Sequence, residues 1–201
     1  MIDRRKILGL GAAAGLAGPS AAMASVWRTF SGEPAASRAE LATAHAGGPH
    51  MAPRHLSLRN LHTEERLEVA YWRDGAYQSD ALQAIDTVLR DFRTGEVHPI
   101  EPRLLDVLFV LQGRVDSADA FQVVSGYRSA QTNAQLRELS AEVAKRSLHM
   151  DGKAIDLYLD GVDLAYLRDA ATDLASGGVG YYPESHFIHV DVGPLRRWVG
   201  T

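Results

Sequence analysis

Short segments of alternating apolar and polar residues are mixed with amphipathic segments of helical period, and this mixture limits the folds open to the chain. Alternating segments at 55–60 and 66–72 flank a polar run and predict a hairpin. Further strands are predicted at 121–124, 154–159, 178–182 and 187–190, and helices from a Ser79 cap to Gly95, from Glu101-Pro102, at 129–144 and at 162–175. No βαβ unit repeats. The pattern therefore predicts an α+β domain with a small, mainly antiparallel sheet and flanking helices.

The first 24 residues have the pattern of a signal peptide. Arg4-Arg5-Lys6 precedes an apolar run at 7–22, and a small-x-small cleavage site ends at Ala24. The arginine pair is similar to a twin-arginine signal, which predicts export through the twin-arginine translocon to the periplasm. An ordinary secretory signal and an uncleaved anchor are the alternatives. The apolar run is shorter than the roughly 20 residues of a spanning helix, so no stable membrane span is expected after cleavage.

Residues 25–53 are rich in Ala, Gly, Ser and Pro and show no sustained apolar period. This composition predicts a flexible linker. The folded domain is therefore expected to span 54–201. The chain contains no cysteine, so its fold must be stabilised without disulfides, by packing with or without a bound metal.

The charge balance argues against nucleic acid as a partner. Removing residues 1–24 takes away three of 21 basic and one of 25 acidic residues, which leaves a net charge of −6. Contacts to phosphates need clustered Lys and Arg, and no basic stripe is visible in the sequence. The composition is that of an acidic domain without a nucleic-acid-binding surface.

Two histidines and an aspartate in the C-terminal half form a candidate metal site: His149, Asp156 and His189. On the strand at 154–159, alternation directs Asp156 away from the apolar face, and the strand at 187–190 does the same for His189. If these strands pair antiparallel, the two side chains become neighbours, and His149 approaches from the preceding loop. Such a set leaves one position of a tetrahedral zinc open, as in catalytic sites. By spacing alone the signal is weak, and polar side chains near the surface without metal are the more common interpretation.

Several motifs follow one another in a characteristic order: Val124-Ser125-Gly126-Tyr127-Arg128-Ser129, the segment 147–156, Gly178-Val179-Gly180-Tyr181-Tyr182 and His189-Val190-Asp191. In order and spacing they resemble the D-Ala-D-Ala metallopeptidase family, and more narrowly its MepK-like murein endopeptidase branch. The resemblance covers roughly 56–198. It implies a Hedgehog/D-Ala-D-Ala peptidase-like fold and zinc-dependent hydrolysis of peptide cross-links in peptidoglycan. Peptidoglycan peptide stems are the implied substrate.

The resemblance also implies roles for individual residues. Zinc would be bound by His149, Asp156 and His189, and Arg128 would contact substrate. A planar guanidinium can hold a peptide carboxylate or stabilise the oxyanion of a tetrahedral intermediate. A purely structural salt bridge is the alternative for Arg128.

Ser125 and Tyr127 either present hydroxyls to substrate or fix the loop that aims the neighbouring arginine. The general base is less defined, because the carboxypeptidase branch has a Glu three residues before the last ligand and this chain has His186 there. A neutral imidazole can accept a proton, provided that a turn brings it to the metal side. Glu184 and Asp191 are alternative bases, and orienting a ligand imidazole is the other role open to Asp191.

Three functions remain open from the sequence. A zinc-dependent peptidoglycan endopeptidase is the leading interpretation. Because His186 replaces the Glu of the carboxypeptidase branch, a second interpretation is a non-catalytic, zinc-containing module that binds peptidoglycan or has a regulatory role. A D-Ala-D-Ala carboxypeptidase is the third interpretation. The sequence does not distinguish cleavage of D-Ala to diaminopimelate, diaminopimelate to diaminopimelate, or D-Ala to D-Ala bonds.

Overall fold

The computed structural model describes residues 52–139 and 143–200. The predicted signal peptide and nearly all of the predicted linker lie outside these residues. The strands are β1 (Arg54–Asn60), β2 (Arg66–Arg73), β3 (Ala76–Tyr77), β4 (Phe121–Ser125), β5 (Ala154–Leu159), β6 (Gly178–Tyr182), β7 (Phe187–Asp191) and β8 (Arg196–Val199). The helices are α1 (Ser79–Val88), α2 (Pro102–Arg114), α3 (Ala130–Leu139) and α4 (Leu164–Asp173), with a short 3₁₀ helix at Leu148–Asp151. None of the helices in these two ranges is long and apolar enough to cross a membrane.

The described strands form a single sheet in the order β3-β2-β1-β4-β5-β7-β6-β8. The pairs β1/β4 and β6/β8 are parallel, and the other neighbouring pairs are antiparallel. The predicted α+β class with a mainly antiparallel sheet is confirmed. The sheet is wider than predicted, because β3 and β8 are short edge strands whose segments lack an alternating pattern long enough to recognise.

The core lies between one face of the sheet and helices α1, α2 and α4. On β5 the side chains of Ile155 and Leu157 enter this core, as do Ile188 and Val190 on β7. Burial of each such side chain stabilises the fold by about 1.5–3 kcal/mol. Because side chains alternate along a strand, the residues between these apolar positions project from the opposite face. On this opposite face, Asp156 of β5 lies directly across from a residue of β7. The candidate functional site lies on the same face.

Several predicted helix boundaries are wrong. Gln78, not Ser79, precedes the first turn of α1, and no side chain caps this helix. Helix α1 ends at Val88, well before Gly95, whose N–H instead donates to the Asp91 carbonyl at 2.7 Å in a separate turn. Helix α3 is described as far as Leu139, and residues 143 and 144 are not helical, so the predicted continuation to 144 is wrong. The apolar pattern in the sequence extends beyond the observed helices, because the contacts that end a helix leave no periodic signal.

Candidate metal centre

The structure brings together the three residues predicted to bind metal. Asp156 Oδ1 lies 3.2 Å from His149 Nε2 and 2.8 Å from His189 Nδ1, and the two nitrogens are 3.2 Å apart. Ligand atoms around a tetrahedral zinc, with bonds of about 2.0–2.1 Å, are separated by about 3.3 Å. The donor types and the triangle that they form therefore fit zinc.

Strand register accounts for two of these positions. Asp156 on β5 pairs with His189 on β7 in an antiparallel ladder, as predicted, so their side chains are cross-strand neighbours. His149 lies in the 3₁₀ helix, which ends at Gly152 in a left-handed turn with φ 65°. A Cβ at position 152 would lie 2.2 Å from the Pro99 carbonyl oxygen, so the turn into β5 requires glycine.

Each histidine is oriented by the ring nitrogen that faces away from the cluster. His149 Nδ1–H donates to the Gly126 carbonyl at 2.7 Å, and His189 Nε2–H donates to Asp191 Oδ2 at 3.0 Å. These acceptors assign the tautomers, so that His149 Nε2 and His189 Nδ1 direct lone pairs toward each other and toward Asp156. The arrangement is that of a metal-binding set.

Burial and mutual charge shift the pKa values of this cluster. Burial lowers the pKa of His149. Burial also opposes protonation of His189, but hydrogen bonds to Asp156 and Asp191 outweigh it and raise the pKa of that imidazole. For Asp156, burial would raise the pKa, yet the two histidines outweigh this effect and hold it well below its usual range. Asp156 is therefore ionised at neutral pH.

Asp191 is a fully buried carboxylate behind His189. Its Oδ1 accepts the backbone N–H groups of Gly178 at 2.9 Å and Gly193 at 2.8 Å, and its Oδ2 accepts from Arg196 Nη2 at 2.6 Å. Burial would raise the pKa of Asp191, but its hydrogen bonds, with His189 first, lower it. With both oxygens engaged, Asp191 is placed to orient His189, one of the two roles left open by the sequence.

Replacing Asp191 with Asn tests this orienting role. We expect Asp191→Asn to weaken zinc affinity about 10–100-fold, because outer partners of ligand imidazoles contribute on that scale. Competition against a chromogenic chelator measures the dissociation constant. Asp173→Asn, an exposed carboxylate at the end of α4, is the matched control. Equal affinities of wild type and Asp191→Asn would contradict the role.

Arg128 extends from the loop between β4 and α3 toward the cluster. Its Nη2 lies 3.6 Å from Asp156 Oδ2 and 3.4 Å from Ser125 Oγ. Burial lowers the pKa of Arg128, and the negative charge of Asp156 opposes that effect. The loop is held against Leu89, where a Cβ at Gly126 would lie 2.5 Å from the Leu89 carbonyl oxygen. Glycine at this position allows the close backbone approach that places Arg128.

Tyr127 faces away from the metal ligands. Its hydroxyl donates to Glu96 Oε1 at 2.8 Å, and its ring stacks on His98 with centroids 4.6 Å apart. Burial and the Glu96 carboxylate raise the pKa of Tyr127 to about 12. Ser125 contacts the guanidinium of Arg128. Both contacts favour the interpretation in which Ser125 and Tyr127 fix the loop, and their predicted contact with substrate stays a prediction.

Asp91 anchors the other end of this loop. Its side chain is buried and accepts the backbone N–H groups of Ser129 and Arg93, each at 2.9 Å. Burial alone would raise the pKa of Asp91, but hydrogen bonding by the side chains of Thr132 and Ser129, together with these backbone N–H groups, outweighs burial and lowers the pKa from 3.8 to about 2. Asp91 was not identified from the sequence, because its partner Ser129 lies 38 positions away.

The depressed pKa of Asp91 makes a prediction about acid stability. A carboxyl with a lower pKa in the folded state stabilises the fold above its unfolded pKa, and this contribution is lost as pH falls through the folded pKa. We expect Asp91→Asn to lower the free energy of unfolding by about 2 kcal/mol at pH 7. The difference from wild type should shrink as pH falls from 4 toward 2. Denaturant titrations at several pH values measure it, with Asp173→Asn as control. A difference independent of pH would contradict the mechanism.

The ligand set opens into a cavity of about 460 Å³. Its lining includes the three candidate ligands, Arg128, Arg146, Leu148, Tyr182, Phe187, Arg196, Arg197 and Trp198. Trp198 Nε1–H donates to the Tyr182 hydroxyl at 2.8 Å, and its ring lies 5.1 Å from that of His189. Tyr182 and Trp198 form a wall of the cavity beside a candidate ligand.

The edge strand β8 supplies part of this wall. It pairs with β6, where Gly178 and Gly180 face the site. A Cβ at Gly180 would lie 2.5 Å from the Trp198 ring, and one at Gly178 would lie 2.4 Å from Asp191 Oδ2. The missing side chains make room for Trp198 and Arg196. Two glycines at alternate positions of a strand are the signal in the sequence that could have indicated this close approach of β8 side chains to β6.

The candidate bases do not line the cavity. His186 is exposed at the end of the turn between β6 and β7, with φ 56°, and its ring lies 5.1 Å from that of Tyr158. Glu184 is exposed in the same turn. Among the described residues that line the cavity, Asp156 is the only carboxylate. The required turn before β7 is present, but the position of His186 adds no support for a role as base, which stays a prediction.

The fold and site together define a class: an α+β domain whose described residues form one candidate metal centre in an open, arginine-lined cavity. The family model described as "Peptidoglycan L,D-endopeptidase MepK" matches residues 49–198, and the chain belongs to this family. The peptidoglycan L,D-endopeptidase MepK of Escherichia coli (strain K12) is 42% identical over 146 residues, which cover 73% of this chain and 80% of the relative. A probable peptidoglycan L,D-endopeptidase MepK of Haemophilus influenzae is 44% identical over 150 residues, covering 74% and 81%. The family resemblance predicted from the motifs is confirmed.

Proposed function

We propose that this chain is a zinc-dependent peptidoglycan L,D-endopeptidase. The observation that carries the proposal is the convergence of His149, Asp156 and His189 at ligand spacing in an open cavity, with Arg128 beside them. Family membership and the names of the relatives support hydrolysis of peptidoglycan peptides. An open cavity suits a polymeric substrate that cannot be enclosed.

The words "L,D" in the relatives' names favour one of the three bonds left open by the sequence. In a diaminopimelate to diaminopimelate cross-link, the carbonyl belongs to an L centre and the nitrogen to a D centre. The D-Ala to diaminopimelate and D-Ala to D-Ala bonds each join two D centres. We therefore assign the diaminopimelate to diaminopimelate bond as the substrate, and the carboxypeptidase alternative becomes less favoured.

The chain's own residues have defined tasks in this proposal. Bound zinc would polarise the scissile carbonyl and lower the pKa of a coordinated water to about 7. His149 and His189 offer lone pairs at fixed angles because their other ring nitrogens are hydrogen bonded. Arg128 lies where its fork can bind an oxyanion or a substrate carboxylate. Tyr182 and Trp198 form the aromatic wall of the cavity on the β8 side, against which a peptide stem could pack.

A defined cross-linked dimer tests the proposal. Zinc-loaded protein is incubated with purified muropeptide dimers that contain either a diaminopimelate to diaminopimelate or a D-Ala to diaminopimelate cross-link, and the products are identified by mass spectrometry. We expect monomers from the first dimer and none from a metal-depleted sample. Cleavage of the second dimer alone would make the protein a D,D-endopeptidase. Binding to sacculi without cleavage of either would instead support the non-catalytic wall-binding module, for which the position of His186 leaves room.

We also propose that residues 1–24 are a twin-arginine signal, that 25–53 are a linker and that 54–201 act in the periplasm. Activity on the cell wall requires export, which supports this arrangement. A twin-arginine translocon requires the arginine pair, whereas general secretion tolerates lysines. Replacing Arg4-Arg5 by Lys-Lys is expected to leave the protein in the cytoplasm, as measured by fractionation and immunoblotting. Normal export of the Lys-Lys variant would exclude this route, and a Lys6→Arg variant that is exported normally controls for changes in the charged segment.

A further inference from the structure

The cavity has a charge opposite to that of the whole chain. The protein carries a formal net charge of −4, yet four arginines line the cavity and Asp156 is the only carboxylate among its described lining residues. The arginines are Arg128, Arg146, Arg196 and Arg197. A concave surface with an excess of one charge concentrates ligands of the opposite charge. The surplus of positive charge therefore indicates a site for an anionic ligand.

The four arginines differ in their partners. Arg196 is paired with Asp191 at 2.6 Å, and Arg128 lies 3.6 Å from Asp156. Arg197 alternates with Arg196 along β8, so its side chain starts from the opposite face of the sheet, and it also borders a separate depression beside α4. Arg196 and Arg128 therefore each lie near a protein carboxylate, and Arg197 is shared between the cavity and the depression beside α4.

Arg146 is the remaining cation. It lies three residues before His149, in the segment that enters the 3₁₀ helix, and its side chain is exposed. Within 52–139 and 143–200 it makes no ion pair or hydrogen bond. A guanidinium on the cavity wall that has no acid beside it among the described residues can bind a ligand carboxylate through two parallel N–H donors.

The proposed substrate has such carboxylates. A diaminopimelate residue within a cross-linked stem has two carboxyl groups, and the one that is not in a peptide bond is an anion at neutral pH. Amidation of this group removes the charge and replaces acceptor oxygens with an amide. A cavity that selects anions would therefore distinguish free stems from amidated stems.

We propose that Arg146 is a specificity-determining residue that binds the free carboxylate of diaminopimelate, so that the protein selects non-amidated stems. The inference rests on the proposed function for the identity of the peptide, but its test measures binding and does not depend on turnover. A charge-assisted hydrogen bond is stronger than a neutral one, and an exposed side chain realises only part of that strength. The expected preference for the free acid is therefore about tenfold in dissociation constant.

Calorimetric titration with uncross-linked tetrapeptide stems, in which one diaminopimelate carboxyl is already in a peptide bond to D-Ala, tests the proposal. The two ligands are the stem with a free diaminopimelate carboxylate and the same stem amidated at that carboxyl. Wild-type, zinc-loaded protein is expected to bind the free acid about tenfold more tightly. Arg146→Gln should bind both peptides with the weaker affinity, while its zinc content and melting temperature stay unchanged because the side chain is exposed. Arg146→Lys should keep part of the preference, since it retains the charge without the fork.

Arg73→Gln is the matched control, because Arg73 is exposed on β2, three strands away from β5 in the sheet. It removes the same charge and should keep the full preference. The proposal would be overturned if wild type bound the two peptides equally or bound neither. It would also be overturned if Arg146→Gln kept the full preference for the free acid. Cleavage of the cross-linked dimers is scored separately, so that failure of the endopeptidase assignment is distinguishable from failure at Arg146.

Discussion

His149→Ala and His189→Ala are each expected to abolish zinc binding and peptidase activity together. Each substitution removes one of three donors held within 3.2 Å of one another, and the remaining pair cannot complete a three-ligand site. The loss of turnover should exceed about 100-fold, the upper range for losing an outer partner of a ligand. Metal analysis of purified protein should give one zinc per wild-type chain and close to none in either variant.

His62→Ala is the control for these ligand variants. His62 is exposed, its ring stacks on Phe92 with centroids 3.6 Å apart, and it does not line the cavity. It should keep both zinc and turnover. Full metal content in His149→Ala or His189→Ala would remove that residue from the ligand set. If either variant retained zinc but lost turnover, the replaced histidine would be assigned to substrate binding or proton transfer and not to metal binding.

Strand parity explains why much of the site was predictable from sequence. Alternation placed Asp156 and His189 on the face opposite to the apolar residues, and this inference needed only the period of a strand. The antiparallel pairing was stated as a condition, and β5 and β7 satisfy it with these two residues in direct register. Local pattern and one pairing assumption were therefore enough to bring two of three candidate ligands together.

Contacts between distant segments were not predictable in this way. Arg196 reaches Asp191 only because β8 pairs in parallel with β6, and no local period reports that pairing. Asp91 holds the Arg128 loop through a residue 38 positions away. Both carboxylates are buried and accept several hydrogen bonds, but the sequence does not distinguish a buried aspartate from one on the surface. Their structural roles can be inferred only once the fold shows which donors surround them.

Arg128→Lys is expected to reduce turnover while leaving zinc in place. Lysine keeps the positive charge but loses the planar pair of donors that matches an oxyanion or carboxylate. Loss of one aligned oxyanion donor reduces kcat by about 10²-fold or more. Because Arg128 contacts Asp156 Oδ2 at 3.6 Å and not Oδ1, which forms the closest contacts with both histidines, the metal-binding triangle should survive the change. Steady-state kinetics on a defined cross-linked dimer, with zinc measured in parallel, give the comparison.

The way in which the Arg128→Lys kinetics change identifies what the guanidinium does. A fall in kcat with little change in KM would mean that Arg128 acts in the transition state, whereas a rise confined to KM would mean uniform binding of substrate and transition state. Arg73→Lys controls for the exchange of an exposed arginine far from the cavity. An Arg128→Ala variant with wild-type turnover would reduce the residue to a structural partner of Asp156. Loss of zinc in Arg128→Lys would have a different meaning, since it would show that the ion pair with Asp156 is needed to hold that carboxylate in place.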